Sequence, residues 1–316
     1  MKKILLASTA LVGFAGAAAA AEVTLSGYAE MGIAGGDLIE TQFHNDVVIN
    51  FNFSGTMDNG VEFGGKVQLD DTNGGGAING APTFDDEAFW VSGTFGKITL
   101  GETDGAFDWA LSEIYTGTSL TDDHSTHAGA YWFTGLDATY DNQIMRYEYS
   151  FGDFAAGLSA EMDDTGVGDT VFGLGGKWSG QMGGMDVGVG LGYQDNGVNS
   201  VWGLSASAAM SNGFSVAFGY ADLDGTSDAV GNGVLSDSWM GVGVAYTTGA
   251  LTVGVNYGVY EASVAGVSDP SGWGVVANYD LGGGAVAMAG YGASDNGLAG
   301  NGAGDNSFSL GLGLSF

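Results

Sequence analysis

Phe308-Ser309-Leu310-Gly311-Leu312-Gly313-Leu314-Ser315-Phe316 alternates apolar with small or polar residues without a break. Successive side chains of a strand point to opposite faces, so this segment has one oily face and one face of Ser and Gly. At the surface of a water-soluble protein such a strand would be an adhesive edge. In a closed barrel bathed in lipid it is what the solvent demands, since the backbone must be paired internally and the outside must be apolar.

The same period of two recurs along the chain. Val47, Ile49, Phe51 and Phe53 alternate with Asp46, Val48, Asn50 and Asn52, and Leu251, Val253, Val255 and Tyr257 repeat the pattern much later. Helical spacing does not explain these runs. The connections alternate in length as well. Tight links such as Met57-Asp58-Asn59-Gly60, Phe151-Gly152-Asp153 and Ser211-Asn212-Gly213 carry the Gly and Asn of hairpin turns. Between them lie longer polar stretches near 71–83, 103–139, 222–236, 262–270 and 294–305. Short turns at one end and long loops at the other are the mark of an outer-membrane barrel. Aromatics follow the same division. Phe53, Phe95, Phe151, Phe154, Trp178, Phe214, Tyr246, Tyr279 and Phe316 flank short turns or a chain end, and Tyr193, Tyr220, Tyr257 and Tyr291 stand at the opposite strand ends. Two belts of this kind match the two membrane interfaces. The fold class is therefore all-β, a transmembrane antiparallel barrel of about sixteen strands. Fourteen or eighteen strands remain compatible, because the segments near 85–101 and 128–150 read ambiguously.

The N-terminus has the order of a secretory leader. Lys2 and Lys3 precede an apolar run from Ile4 to Ala15, and Ala19-Ala20-Ala21 offers an A-x-A cleavage site before Glu22. Residues 1–21 are thus expected to be removed, leaving 22–316 as a single barrel domain. That part keeps only Lys66, Lys97, Arg146 and Lys177 against 37 carboxylates, so the net charge of −31 becomes −33 once two lysines are lost. Nucleic-acid binding through phosphates is excluded by this balance. The absence of cysteine excludes disulfides and thiolate metal sites. No apolar stretch after Ala21 is long enough for a membrane helix. A hydrophobic content of 45% argues against disorder, and 60 glycines are the anomaly of the composition.

The chain resembles a general diffusion porin of Gram-negative outer membranes, in the branch of the purple photosynthetic alphaproteobacteria. The similarity lies in Glu22-Val23-Thr24-Leu25-Ser26-Gly27, Phe95-Gly96-Lys97-Ile98-Thr99-Leu100-Gly101, Tyr279-Asp280-Leu281-Gly282-Gly283-Gly284 and the C-terminal strand. The resemblance implies a sixteen-stranded homotrimer in the outer membrane, in contact with lipid and lipopolysaccharide. It also implies a third long loop folded into each barrel, and passive passage of small hydrophilic solutes and ions without enzymatic chemistry. Phe316 resembles the terminal signal read by the outer-membrane assembly machinery.

The longest non-alternating stretch runs from Glu102 to about Trp132. Loops of this length are usually functional. Its residues alone fit either an external loop or an inward one. The resemblance selects the inward one, which makes Glu102, Asp104, Asp108, Glu113, Asp122 and Asp123 candidates for the constriction, with Phe107, Trp109 and Ile114 packing the loop to the wall. Strand parity gives the wet wall: Glu30, Asp46, Lys66, Gln68, Arg146, Glu148 and Lys177, with Asn50, Asn52 and Glu161. From Gly173 onward the inward positions are mostly glycine, which suits either close packing or an open lumen. Relatives carry several arginines on early strands; here Tyr28-Ala29-Glu30-Met31 and Asn45-Asp46-Val47-Val48-Ile49 stand instead. Only Lys66 and Arg146 are left to oppose the loop, so the expected field is mostly of one sign and the channel cation selective. Ser309, Gly311, Gly313 and Ser315 are expected to leave their side of the lumen featureless, with the last strand closing against Val23 and Leu25.

Two other readings carry specific residues. Acidic pairs, above all Asp122, Asp123, Asp163 and Asp164, offer hard oxygen ligands for calcium, though none has EF-hand spacing. They suit a structural or adhesive barrel bridged to lipopolysaccharide. A hydrolase would need a nucleophile and a base in reach, and His124-Ser125-Thr126-His127 is the one suggestive run.

Overall fold

The computed structural model describes residues 22–37, 40–70, 83–120, 135–136, 144–162, 166, 168–227, 235–294 and 306–316. The candidates Asp122, Asp123, Asp163 and Asp164, with His124, His127 and the leader 1–21, lie outside them. Sixteen antiparallel strands close into one barrel, each paired with its sequence neighbours and β16 with β1. The first half comprises β1 (Glu22–Gly36), β2 (Gln42–Thr56), β3 (Glu62–Asp70), β4 (Thr83–Gly93), β5 (Gly96–Gly101), β6 (Ile144–Phe151), β7 (Phe154–Glu161) and β8 (Val171–Met182). The second comprises β9 (Met185–Asp195), β10 (Ser200–Met210), β11 (Phe214–Ser227), β12 (Ser236–Thr248), β13 (Leu251–Ala262), β14 (Ser271–Gly282), β15 (Ala285–Ser294) and β16 (Asn306–Ser315). Among the described residues one short helix, α1 (Ala106–Ala110), lies in the connection between β5 and β6.

The alternation follows the two solvents. Leu25, Phe51, Leu158, Leu191, Val255 and Leu310 are all exposed on the outside, although they are the apolar half of their strands. Aromatic pairs ring both ends, with Phe151 and Phe154 at 5.8 Å and Phe214 and Tyr246 at 4.6 Å beside the short turns. Trp202 and Tyr220 at 5.3 Å and Trp273 and Tyr291 at 5.7 Å mark the other end. This is the amphipathic girdle of a membrane barrel.

Two sequence expectations are corrected, and one turn is added. The tight turn between β8 and β9 is Gly183-Gly184, which the alternating pattern did not mark. The stretch 222–236 is not wholly a loop, because β11 continues to Ser227; Leu223 faces inward and is fully buried with Trp239 and Tyr260. The closing seam pairs β16 with Tyr28–Gly36, not with Val23 and Leu25, which pair only with Phe53 and Phe51 of β2. The stagger that closes a barrel slides β1 beyond the end of β16.

The apolar core lies inside the barrel. Val201, Ala221, Leu223, Trp239 and Tyr260 point in from β10–β13 and enclose Phe107 and Ile114 from the segment after β5.

Candidate functional site

The chain leaves the wall at Gly101. Its φ of +126° is a conformation that side chains rarely adopt, and a Cβ there would strike the carbonyl of Glu87. Glu102 N donates to that same carbonyl at 3.0 Å, so the hinge is fixed as it turns inward. Residues 106–120 then form a strap that crosses the inner wall from β7 to β16 and reaches β1.

Glycine lets the strap approach. A Cβ on Gly175, Gly190 or Gly243 would collide with the carbonyls of Ala106, Ala110 and Ile114 respectively, and one on Gly254 would stand 2.6 Å from that of Thr116. Small polar side chains of the wall satisfy the strap's backbone. Ser159 Oγ accepts from Ala106 N at 2.8 Å, Ser205 Oγ from Ser112 N at 2.9 Å and Ser309 Oγ from Leu120 N at 3.2 Å. Asn278 Nδ2 donates to Thr118 O at 2.7 Å; outside the strap, Gln194 Oε1 accepts from Leu136 N at 2.7 Å. Each such bond contributes about 1 kcal/mol net, and leaving the buried group unpaired would cost more. The inward glycines therefore serve close packing. The side expected to be featureless is covered: Leu120 lies against Gly32 and Gly311.

All four cations of 22–316 lie on one arc, on β3, β5, β6 and β8. Lys177 lines the lumen wall and is tied to the strap. Its Nζ donates to Trp109 O at 2.8 Å and sits 3.8 Å from the centre of the Trp109 ring. Arg146 lies 5.7 Å from the same ring and donates through Nη1 to Asp104 O. Arg146 does not oppose the strap across the lumen; with Lys177 it clasps the strap's root, while the Trp109 ring rests over Gly157. Glu148 stands between two of these cations, with Oε1 3.4 Å from Lys97 Nζ and Oε2 3.9 Å from Arg146 Nε. Lys97, absent from the expected wall, faces inward on the parity set by Ile98 and Leu100.

Glu30 points inward, as strand parity expects, and is buried there, with Oε2 2.8 Å from His44 Nε2 and Oε1 accepting from Tyr28 OH at 3.0 Å. His44 could have been flagged by its parity with Asp46 on β2. Asp46 is partly buried opposite Glu30, and Gln68 Nε2 reaches Asp70 Oδ2 at 3.5 Å. Lys66 is half-buried on β3.

Among the strap's carboxylates, Glu102 and Asp108 are half-buried while Asp104 and Glu113 are open to water. Glu113 is reached by lumen water yet surrounded by protein atoms. Desolvation pushes its carboxyl above the ordinary range; a hydrogen bond from Tyr115 opposes this, and the negative charge of Asp104 adds to it. Among the described residues no group of three or more His, Asp or Glu is placed to hold a metal ion.

What the strap leaves open lies against the early strands. A cavity of ≈ 450 Å³ is lined by Thr24, Asn52, Lys66, Trp90, Thr99 and Arg146, among others. A wider one of ≈ 690 Å³ toward the short turns is lined by Glu62, Lys97, Trp109, Glu148 and Lys177, among others.

A closed strand barrel with a lipid-facing exterior and a strap narrowing its wet interior is a membrane channel. The chain belongs to the Gram-negative porin family, whose model, described as "Gram-negative porin", matches residues 7–299. A porin of Rhodobacter capsulatus is 30% identical over 310 residues, covering 87% of this chain and 95% of the relative. A porin structure refined at 1.8 Å superposes with a TM-score of 0.67 at 26% identity, over 93% of this chain and 100% of the other. A variant of the Rh. blastica porin superposes with a TM-score of 0.68 at 21% identity, over the same shares, and supports the fold. The protein is an outer-membrane porin rather than an enzyme.

Proposed function

We propose that this porin passes small hydrophilic solutes and ions by diffusion and favours cations. The observation that carries the preference is the unequal use of charge. Glu113 stands open to the lumen, and Asp104 is largely exposed although its Oδ2 lies 3.9 Å from Arg146 Nη1, whereas Lys177 and Arg146 are engaged with the strap and Lys97 with Glu148. Glu102 beside the strap and Asp108 on it add to the same sign. A narrow tube with low-dielectric walls focuses this potential, enriching cations and repelling anions. The screening length is about 10 Å at 0.1 M salt, so the preference fades as salt rises.

The test is the reversal potential of purified protein in a planar bilayer under a KCl gradient. A potential of cation-selective sign, shrinking at high salt, is expected; one of anion-selective sign overturns the selectivity. On the resemblance noted above we also propose a homotrimer and removal of the leader 1–21. Cross-linking and N-terminal sequencing of the mature protein test these two points.

A further inference from the structure

The inner face of β3–β6 carries an arrangement that ion sieving does not require. Strand register sets it out in rows. Gly64, Trp90, Thr99 and Arg146 lie opposite one another across four strands, with Lys66 and Ala88 one inward row to one side and Ser92, Lys97 and Glu148 one row to the other. The Trp90 indole lies over Gly64, where a Cβ would come within 2.6 Å of the ring. Glycine there leaves room for the ring against the wall. Lys97 Nζ stands 5.6 Å from the ring centre, and Lys66 and Trp90 line the same ≈ 450 Å³ cavity.

Two polar groups of this cavity wall are unsatisfied among the described residues. Thr99 is 4% exposed and its Oγ1 has no hydrogen-bond partner. Arg146 is 7% exposed and its Nε likewise has none, the Glu148 carboxylate being 3.9 Å away. Buried polar groups are ordinarily paired, so two neighbours without partners at the edge of a cavity are unusual.

We infer that this wall is a subsite for small organic carboxylates with a flat apolar face, the face stacking on Trp90 and the carboxylate meeting Lys66, Lys97 and Thr99. The inference rests on the channel reading and names a class of solute for it. It is compatible with cation preference, because small-ion selectivity follows the long-range potential whereas the subsite acts by contact. Stacking on an indole and contact with an ammonium are each short-range, and together they distinguish a ring-bearing carboxylate from a simple one.

The experiment is block of single-channel KCl current by benzoate, acetate and benzyl alcohol added at equal concentrations. Benzoate is expected to half-block at a concentration at least tenfold below that of acetate, and benzyl alcohol not to block. Trp90→Ala should bring benzoate to the acetate value, Trp90→Phe should keep a preference, and Lys66→Met should weaken both anions alike. Equal block by benzoate and acetate in the unmodified channel overturns the subsite without recourse to any variant, as does an unchanged preference in conducting Trp90→Ala channels. A protein that inserts but conducts no KCl overturns the channel reading itself, and the subsite with it.

Discussion

Lys177→Met tests whether the strap is held by the clasp at Trp109. The substitution keeps an unbranched apolar stem and removes the ammonium. Lost with it are a contact 3.8 Å from the indole centre and a charge-assisted hydrogen bond of 2.8 Å to Trp109 O. A desolvated cation–π contact contributes about 2 kcal/mol and a hydrogen bond from a charged donor about 1.5–3 kcal/mol. Lys177 is only half-buried, so the low end is appropriate, about 3 kcal/mol for the two together. That raises the lifted population of the strap's root by about two orders of magnitude. The strap is not expelled, because Phe107 and Ile114 remain in the core and Ser159 and Ser205 still hold its backbone. The expected result is open-channel noise and brief closures in single-channel records, with the reversal potential little changed. Lys177→Arg should stay quiet, since a guanidinium stacks on the indole and donates to the carbonyl. Records as quiet as the unmodified channel, with a reversal potential moved toward cations, would refute the clasp and make Lys177 a pore charge.

Other expectations follow from the same wall. Gly243→Val places a side chain in the carbonyl of Ile114 and should displace the strap; overpacking of about 1–3 kcal/mol would show as higher conductance and weaker selectivity in single channels. Since desolvation raises the pKa of Glu113, this carboxyl should take up its proton before ordinary carboxylates as the pH falls. Cation preference should then begin to drop above the usual carboxylate range, and Glu113→Gln should remove that first step from a pH series of reversal potentials. The sign for stability is the opposite: the contribution of Glu113 is greatest below the ordinary carboxylate pKa and is lost as pH rises through the raised value. His44→Ala strands the buried carboxylate of Glu30, which should cost about 3–5 kcal/mol in urea unfolding of the barrel in lipid vesicles, more than Glu30→Gln/His44→Gln together.

The outer half of this barrel was legible in the sequence because lipid enforces it residue by residue. Leu310, Leu312 and Leu314 can occupy only one face, and the parity they fix also fixes Ser309 and Gly311. The inner half was legible only as a direction. Gly190 and Gly243 read equally as vacancy or as bedding, since a missing side chain does not say what lies over it. Phe107 and Ile114 were readable as packing residues because an apolar side chain on a polar strap has nowhere else to go. The partners of Glu30 and Lys177 were not, because each is chosen by register or by the path of the strap. His44 meets Glu30 across the β1–β2 pairing, and Trp109 reaches Lys177 from 68 residues away.

Leu120 gives the strap a further consequence. Its backbone is tied to Ser309 on β16 and its side chain also lies against Gly32 on β1, so one residue bridges the two strands that meet last along the chain. The constriction is therefore no ornament inside the cylinder, because its far end is a rivet through the joint that closes it. A change that frees Leu120 weakens that joint as well as widening the bore.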